Sequence, residues 1–168
     1  SLTLSALREL GEDKKILLSQ NAIEAMHTSS QIVAQAALSD APIYGINTGF
    51  GFNSNIKISK KNTAELQKRI LRSHATHVGD ILPVTTVRRI MALRINTLAK
   101  GYSGIRSCIV QTLVDLFNSG CTPRVRNQGT VGASGDLVPL AHIGLALLGE
   151  GVIYDPKIGR YDEAALVL

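Results

Sequence analysis

The sequence has no tryptophan, only three phenylalanines and four tyrosines, and only two cysteines. Scarce aromatics beside abundant alanine and leucine lean the balance towards helices. The two cysteines, Cys108 and Cys121, have no metal-ligand spacing, and a chain of 168 residues buries enough apolar surface to fold without disulfides or metals. Long apolar runs are also missing. The longest, "LVPLAHIGLALLG" from Leu137, carries Pro139 and His142 and is too short to span a bilayer, so it reads as a buried helix. The opening "SLTLSALREL" is too short and too polar for a secretory signal. These absences point to a reduced, cytoplasmic protein that does not enter a membrane.

Positive charge is in excess, +5 net with a pI near 9.4, which raises nucleic acid as a partner. The basic residues are dispersed, however, as Lys60-Lys61, Lys68-Arg69, Arg88-Arg89, Arg124 and Arg126, and none is interleaved with aromatics. Solvated faces and a preference for anionic ligands explain the charge more simply, so no nucleic-acid partner is expected. No internal repeat or linker composition divides residues 1–168, which read as a single domain.

Helical signals follow one another along the chain, and the fold class is mainly α. Asn21 with Glu24 resembles a capping box, ahead of Ile23, Met26, Ser30, Val33 and Ala37 at helical spacing. Asn62 with Glu65 repeats the signal before Leu66, Ile70 and Ser73. After Pro83, Val87, Met91, Arg94 and Leu98 form one stripe, and Gly101 stands where a C-terminal cap belongs. Ser103 can start the next helix, with Ile105, Ile109, Leu113 and Leu116 inside and Gly120 beyond its end. The final "DEAALVL" is an apolar helical pattern with no stop signal, which suggests a truncation.

Two stretches interrupt this rhythm. "DAPIYGINTGFGFNSN", residues 40 to 55, is too long for an ordinary connection, and its apolar Ile43, Tyr44, Ile46 and Phe50 argue against disorder. "CTPRVRNQGTVGASGD", residues 121 to 136, ends at a helix start and places glycines at 129, 132 and 135. A phosphate cradle would need Lys and Ser/Thr directly after the last glycine, where Asp136 and Leu137 stand. A serine nucleophile on a strand-to-helix elbow needs G-x-S-x-G, which "GASGD" is not. A third reading uses the backbone itself. The Gly135 nitrogen, with no adjacent Cβ, can approach the Ala133 carbonyl carbon. Closing that ring with loss of water, and losing the Ser134 hydroxyl as a second water, leaves an electrophile that ordinary side chains do not provide. Pro139 then falls in the first turn, where a missing N–H breaks no intrahelical bond. An ordinary glycine-rich helix start is the competing reading.

"GTVGASGDLVPLAH" together with "YGINTGFG" at residues 44 to 51 resembles the histidine/phenylalanine/tyrosine ammonia-lyase family. "LRSHATHVG" at 71 to 79, "RINTLAKGYSGI" at 94 to 105 and "LLGEG" at 147 to 151 resemble it too, so the likeness covers nearly the whole chain. It implies an ammonia-lyase-like helical fold with long active-site loops. It also implies a 4-methylideneimidazol-5-one (MIO) group formed autocatalytically from Ala133, Ser134 and Gly135, with Asp136 assisting and no metal.

The resemblance carries further roles. Tyr44 matches the family's catalytic tyrosine, which takes the β-proton of the substrate, and a phenol acting as base needs positive charge or helix dipoles nearby. Gly45, Gly49 and Gly51 suit a mobile loop over the site, and Gly51 falls with Ser73 and His74 among the substrate-binding positions. Ser73-His74 is the pair carried by histidine-using members, and some aminomutases share it. His77 stands where many relatives have glycine, Thr130 where serine is usual and Val138 where alanine is usual. The implied reaction is elimination of ammonia from L-histidine to give trans-urocanate. A phenylalanine or tyrosine ammonia-lyase, an aromatic 2,3-aminomutase and a non-catalytic binding relative are the alternatives. Family members are longer homotetramers, so the 168-residue chain is expected to be inactive alone.

Overall fold

A computed structural model describes residues 2–130 and 137–168. The Ala133-Ser134-Gly135 tripeptide and Asp136 lie outside the described residues. Within them the order is α1 (Leu4–Leu10), α2 (Gln20–Ala36), α3 (Lys60–His74), β1 (Val78–Ile81), α4 (Val84–Leu98), α5 (Ser107–Asn118), β2 (Thr122–Pro123), β3 (Arg126–Gln128), α6 (Leu137–Leu147), β4 (Val152–Asp155), β5 (Arg160–Glu163) and α7 (Ala164–Val167). The chain is mainly helical, as its composition predicts.

Helix starts differ from the predicted ones, each for a local reason. Ser19 caps α2, its Oγ accepting the Ala22 N–H at 3.3 Å. Asn21 therefore lies inside the helix, and Glu24 is engaged by Gln20 Nε2 at 2.9 Å instead of closing a capping box. Helix α3 starts after Ser59 without a side-chain cap, and Glu65 pairs with Arg69 one turn on at 3.0 Å. That pairing lowers the Glu65 pKa. Helix α5 begins at Ser107, not at Ser103. Gly101 (φ 75°) and Gly104 (φ 70°) hold the intervening turn in left-handed conformations that a right-handed helix cannot include. At Gly101 the turn also presses on the α2 backbone. A Cβ there would meet the Ala25 carbonyl carbon at 2.6 Å.

The core forms around α4. Val87, Met91, Ile95 and Leu98 are buried along one stripe, and the last three cluster with Val110, Leu113, Val114 and Phe117 of α5, Met26 of α2 and Ile153 of β4. Arg88 is buried beside them. Its guanidinium sits over the Phe117 ring, 4.2 Å from the centroid, and Nη1 donates to the Phe117 carbonyl at 3.0 Å. Burial lowers the Arg88 pKa, with Asp13 opposing. Two small antiparallel sheets frame the helices. In one, β1 pairs with β3, Val78 opposite Gln128 and Ile81 opposite Arg126. In the other, β4 lies between β2 and β5. Helix α3 packs along α6, and Arg72 clasps Glu150 beyond the end of α6 through two bonds, Nη2–Oε1 at 2.7 Å and Nε–Oε2 at 3.0 Å. The same contact lowers the Glu150 pKa and raises that of Arg72.

Candidate active site

The long stretch from Asp40 to Asn55 is built around one buried amide. Asn47 is 5% exposed. Its Oδ1 accepts the Ile43 N–H at 2.7 Å, and its Nδ2 donates to the Ser39 and Ala41 carbonyls at 3.2 and 2.9 Å. The neighbouring Thr48 bridges to Lys57, and the Ile58 N–H bonds the Asn47 carbonyl at 2.9 Å. These bonds satisfy backbone groups that neither helix nor sheet pairs, and they close the segment into a compact loop with a 3-10 turn at Gly51–Asn53. Tyr44 projects from it, 63% exposed. Its ring meets Phe50 edge-on with centroids 5.9 Å apart, and its hydroxyl faces the Gly51 N–H at 3.4 Å.

His74 ends α3. Its Nδ1 lies 2.8 Å from the Ile70 carbonyl, a separation that requires the proton on Nδ1 and leaves Nε2 of the neutral ring as an acceptor. Ser73 Oγ donates to the same carbonyl at 3.0 Å and lies 3.1 Å from His74 Nδ1. The two residues thus form a fixed unit in which only the His74 Nε2 edge is unused.

Tyr44, Gly51 and His74, drawn from two distant stretches of sequence, line one cleft of about 720 Å³. Leu137, the first residue of α6 and the second after Gly135, lines it as well. Most of the remaining wall is apolar and comes from α4, α5 and α6. Ser73 is exposed and does not line the cleft; it reaches the site through His74. Arg94 of α4 also lines it and is the one residue with a fixed positive charge among the described lining. Neither Arg94 nor Asn47 was singled out from sequence as a site residue. The signal for Arg94 was its place on an otherwise apolar stripe; for Asn47 it was a polar residue between Ile46 and a glycine-rich turn.

The cleft is mostly apolar, with Tyr44, His74 and Arg94 as the polar groups of its described lining. Among the described residues no group of three or more His, Cys, Asp or Glu could hold a metal ion, and no helix is long and apolar enough to cross a membrane. An MIO group fits the lining. The phenol and imidazole stand in the cleft that Leu137 borders, and the helix beginning there carries Pro139 in its first turn.

The profile of the aromatic amino acid lyase family matches residues 2–168. The chain belongs to that family. Its relatives include the histidine ammonia-lyase of Psychromonas ingrahamii, 46% identical over 89% of this chain and 30% of that protein. Nearly the whole of this chain superposes on about a third of the length of solved relatives. The histidine ammonia-lyase of Trypanosoma cruzi superposes with a TM-score of 0.91 at 37% identity, covering 99% of this chain and 32% of that one. A tyrosine aminomutase from Streptomyces globisporus does so with a TM-score of 0.91 at 36% identity, covering 99% and 31%. The chain therefore spans about 30% of the length of the curated relatives it matches. The helical architecture expected from the resemblance is the observed one.

Proposed function

We propose that this chain is the N-terminal, prosthetic-group-bearing portion of an ammonia-lyase that eliminates ammonia from L-histidine to give trans-urocanate. Residues 1–168 act as one unit within a longer, homotetrameric cytoplasmic enzyme, and the isolated chain is inactive. The observation that carries this reading is the gathering of Tyr44, Gly51 and His74 into the cleft bordered by Leu137, which follows Gly135 by two positions in the sequence.

An MIO group made from those three residues supplies an electrophile for the substrate's amino group or ring. Tyr44 is the base for the β-proton. Tyr44 is exposed and lines the cleft, and Arg94 lines the same cleft. His74, held by Ile70 and Ser73, offers Nε2 to the N–H of a substrate imidazole or to an ammonium group. Gly51 closes the loop beside Tyr44 without adding a side chain to the cleft. Asp136 lies next to the tripeptide in sequence and assists its formation. The start of α6 favours negative charge that develops near it.

Likeness to a tyrosine aminomutase fold keeps a second reading in view, migration of the amino group to give a β-amino acid. Incubation of the full-length protein with L-histidine, L-tyrosine and L-phenylalanine, followed by product analysis, separates the two. Urocanate from histidine is the expected result. A β-amino acid or a cinnamate-type product would replace the histidine assignment. The Ser134→Ala protein should fold yet turn over none of the three; unchanged turnover would remove the prosthetic-group assignment.

A further inference from the structure

His77 and His142 are separated by 65 positions and stack face to face, with ring centroids 3.6 Å apart and planes 12° from parallel. Neither belongs to the cleft. His77 has a second contact. Its Nδ1 accepts the Arg126 N–H at 3.1 Å, and Arg126 begins β3, the strand that leads into the glycine-rich segment. His142 lies on α6, the helix that leads out of that segment, one turn after Val138. One side chain therefore touches both flanks of the stretch that contains the tripeptide.

The packing around the pair shows how close this junction is. Gly129, one residue beyond β3, has φ +152°, and a Cβ there would meet the Thr76 carbonyl oxygen at 2.8 Å, Val138 Cγ1 at 3.0 Å and the His77 Cα at 3.2 Å. The exit of α3, the exit of β3 and the first turn of α6 thus converge on one point, where only glycine fits.

Resting on the MIO reading above, we propose that His77 is a positioning residue for formation of that group, holding β3 and α6 in the register that ring closure needs. In that step the Gly135 nitrogen bonds to the Ala133 carbonyl carbon. The carbonyl oxygen leaves as water with the amide protons of Ser134 and Gly135, and the Ser134 hydroxyl leaves with its Cα proton as a second water. No oxidant or co-reactant is consumed. Part of the cost of the step is conformational, because the reacting nitrogen and carbonyl carbon must be held at bonding distance. Pinning both flanks removes that cost in advance.

The role requires both rings to be neutral. A proton on His77 Nδ1 would remove the acceptor for Arg126, and two imidazolium rings in a stack would repel. Burial, His77, Arg124 and Arg126 all favour the neutral forms: burial chiefly lowers the pKa of each ring, with Arg126 and Arg124 adding at His77, and His77 and Arg124 at His142. His142 Nε2 is buried with no hydrogen-bond partner among the described residues, so its part in the pair is to present a ring face.

The test follows the intact mass of the full-length protein over time after synthesis, with its thermal unfolding measured in parallel. Wild type should become lighter by two waters, localised to residues 129 to 140. His77→Asn keeps an acceptor for Arg126 but has no ring, and His77→Phe keeps a ring but has no acceptor. Each should fold and lose the waters about tenfold more slowly, the scale of one lost buried contact. His142→Phe preserves a stacking face and should mature at the wild-type rate. Wild type that never loses two waters overturns the MIO reading and this proposal with it. Wild type that loses them beside folded His77→Asn and His77→Phe proteins that do so equally fast overturns the proposal alone.

Discussion

Asn47 holds the Ile43 N–H at 2.7 Å through its Oδ1, four residues back along the loop that presents Tyr44. With Nδ2 bonded to Ser39 and Ala41, this single buried side chain closes the loop on itself. Asn47→Ala would leave one partly buried N–H and two carbonyls to find water, at a cost of about 1 kcal/mol. The loss should be local. Hydrogen exchange across residues 39–58 should quicken while α4 and α5 keep their protection, and kcat should fall more than binding because Tyr44 loses its placement. Unchanged exchange in this loop would show that the amide is not its anchor.

Tyr44 is 63% exposed and meets Phe50 edge-on. Tyr44→Phe therefore keeps the ring contact and removes only the hydroxyl, so unfolding temperature should move by no more than a degree or two. A lost general base lowers kcat by about 10²–10⁴-fold, with KM little changed. Because ring formation uses other residues, the two-water mass loss should persist in this variant. A Tyr44→Phe enzyme with near-normal kcat would assign the proton abstraction to another group.

The helices were legible because each needs only local information: a period of 3.6 residues and glycines or Pro83 at the ends. Of the stripe Val87, Met91, Arg94 and Leu98, three are buried as the spacing predicts and Arg94 is half-buried. Exact starts were not legible, because Ser19 outcompetes Asn21 as a cap and Gly104 imposes a left-handed turn that pattern alone does not show. The strands went unread. Thr122–Pro123 and Arg126–Gln128 are too short for alternation to register, and their partners lie tens of residues away. Of the candidate site, Tyr44, Gly51 and His74 were chosen by motif, but their meeting in one cleft depends on α3 packing against α6. The His77–His142 contact had no sequence signal at all, since stacking across 65 positions leaves no spacing to detect.

His74 separates binding from packing. Nδ1 is committed to the Ile70 carbonyl at 2.8 Å, so Nε2 alone is available to a substrate. His74→Phe fills the same space without that nitrogen. A hydrogen bond to a charged or strongly polar partner contributes about 1.5–3 kcal/mol, so KM for L-histidine should rise about 10- to 100-fold while stability changes little. Ser73→Ala removes a partner of Nδ1 but leaves the Ile70 bond, and its effect should be smaller. Equal KM values for wild type and His74→Phe would place substrate recognition elsewhere.

The histidine stack also makes stability depend on pH in a defined window. Burial, with His77 and Arg124, lowers the His142 pKa from 6.5 to about 4, and burial, with Arg126 and Arg124, lowers that of His77. A folded-state pKa below the unfolded value means that the unfolded chain binds more protons in between. Stability contributed by the neutral rings is therefore complete above about pH 6.5 and is lost as pH falls towards 4. One such proton gives at most about 1.4 kcal/mol per pH unit, a few degrees in unfolding temperature for a domain of this size. Carboxylates contribute too, since the folded-state pKa values of Glu65 and Glu150 are lowered by Arg69 and Arg72, but they act below about pH 5. The diagnostic interval is thus pH 6.5 to 5. Thermal unfolding of wild type should decline across it, and His142→Phe should flatten part of that decline. Parallel curves for the two proteins would mean that His142 titrates as an ordinary surface ring and that the stack does not hold in solution.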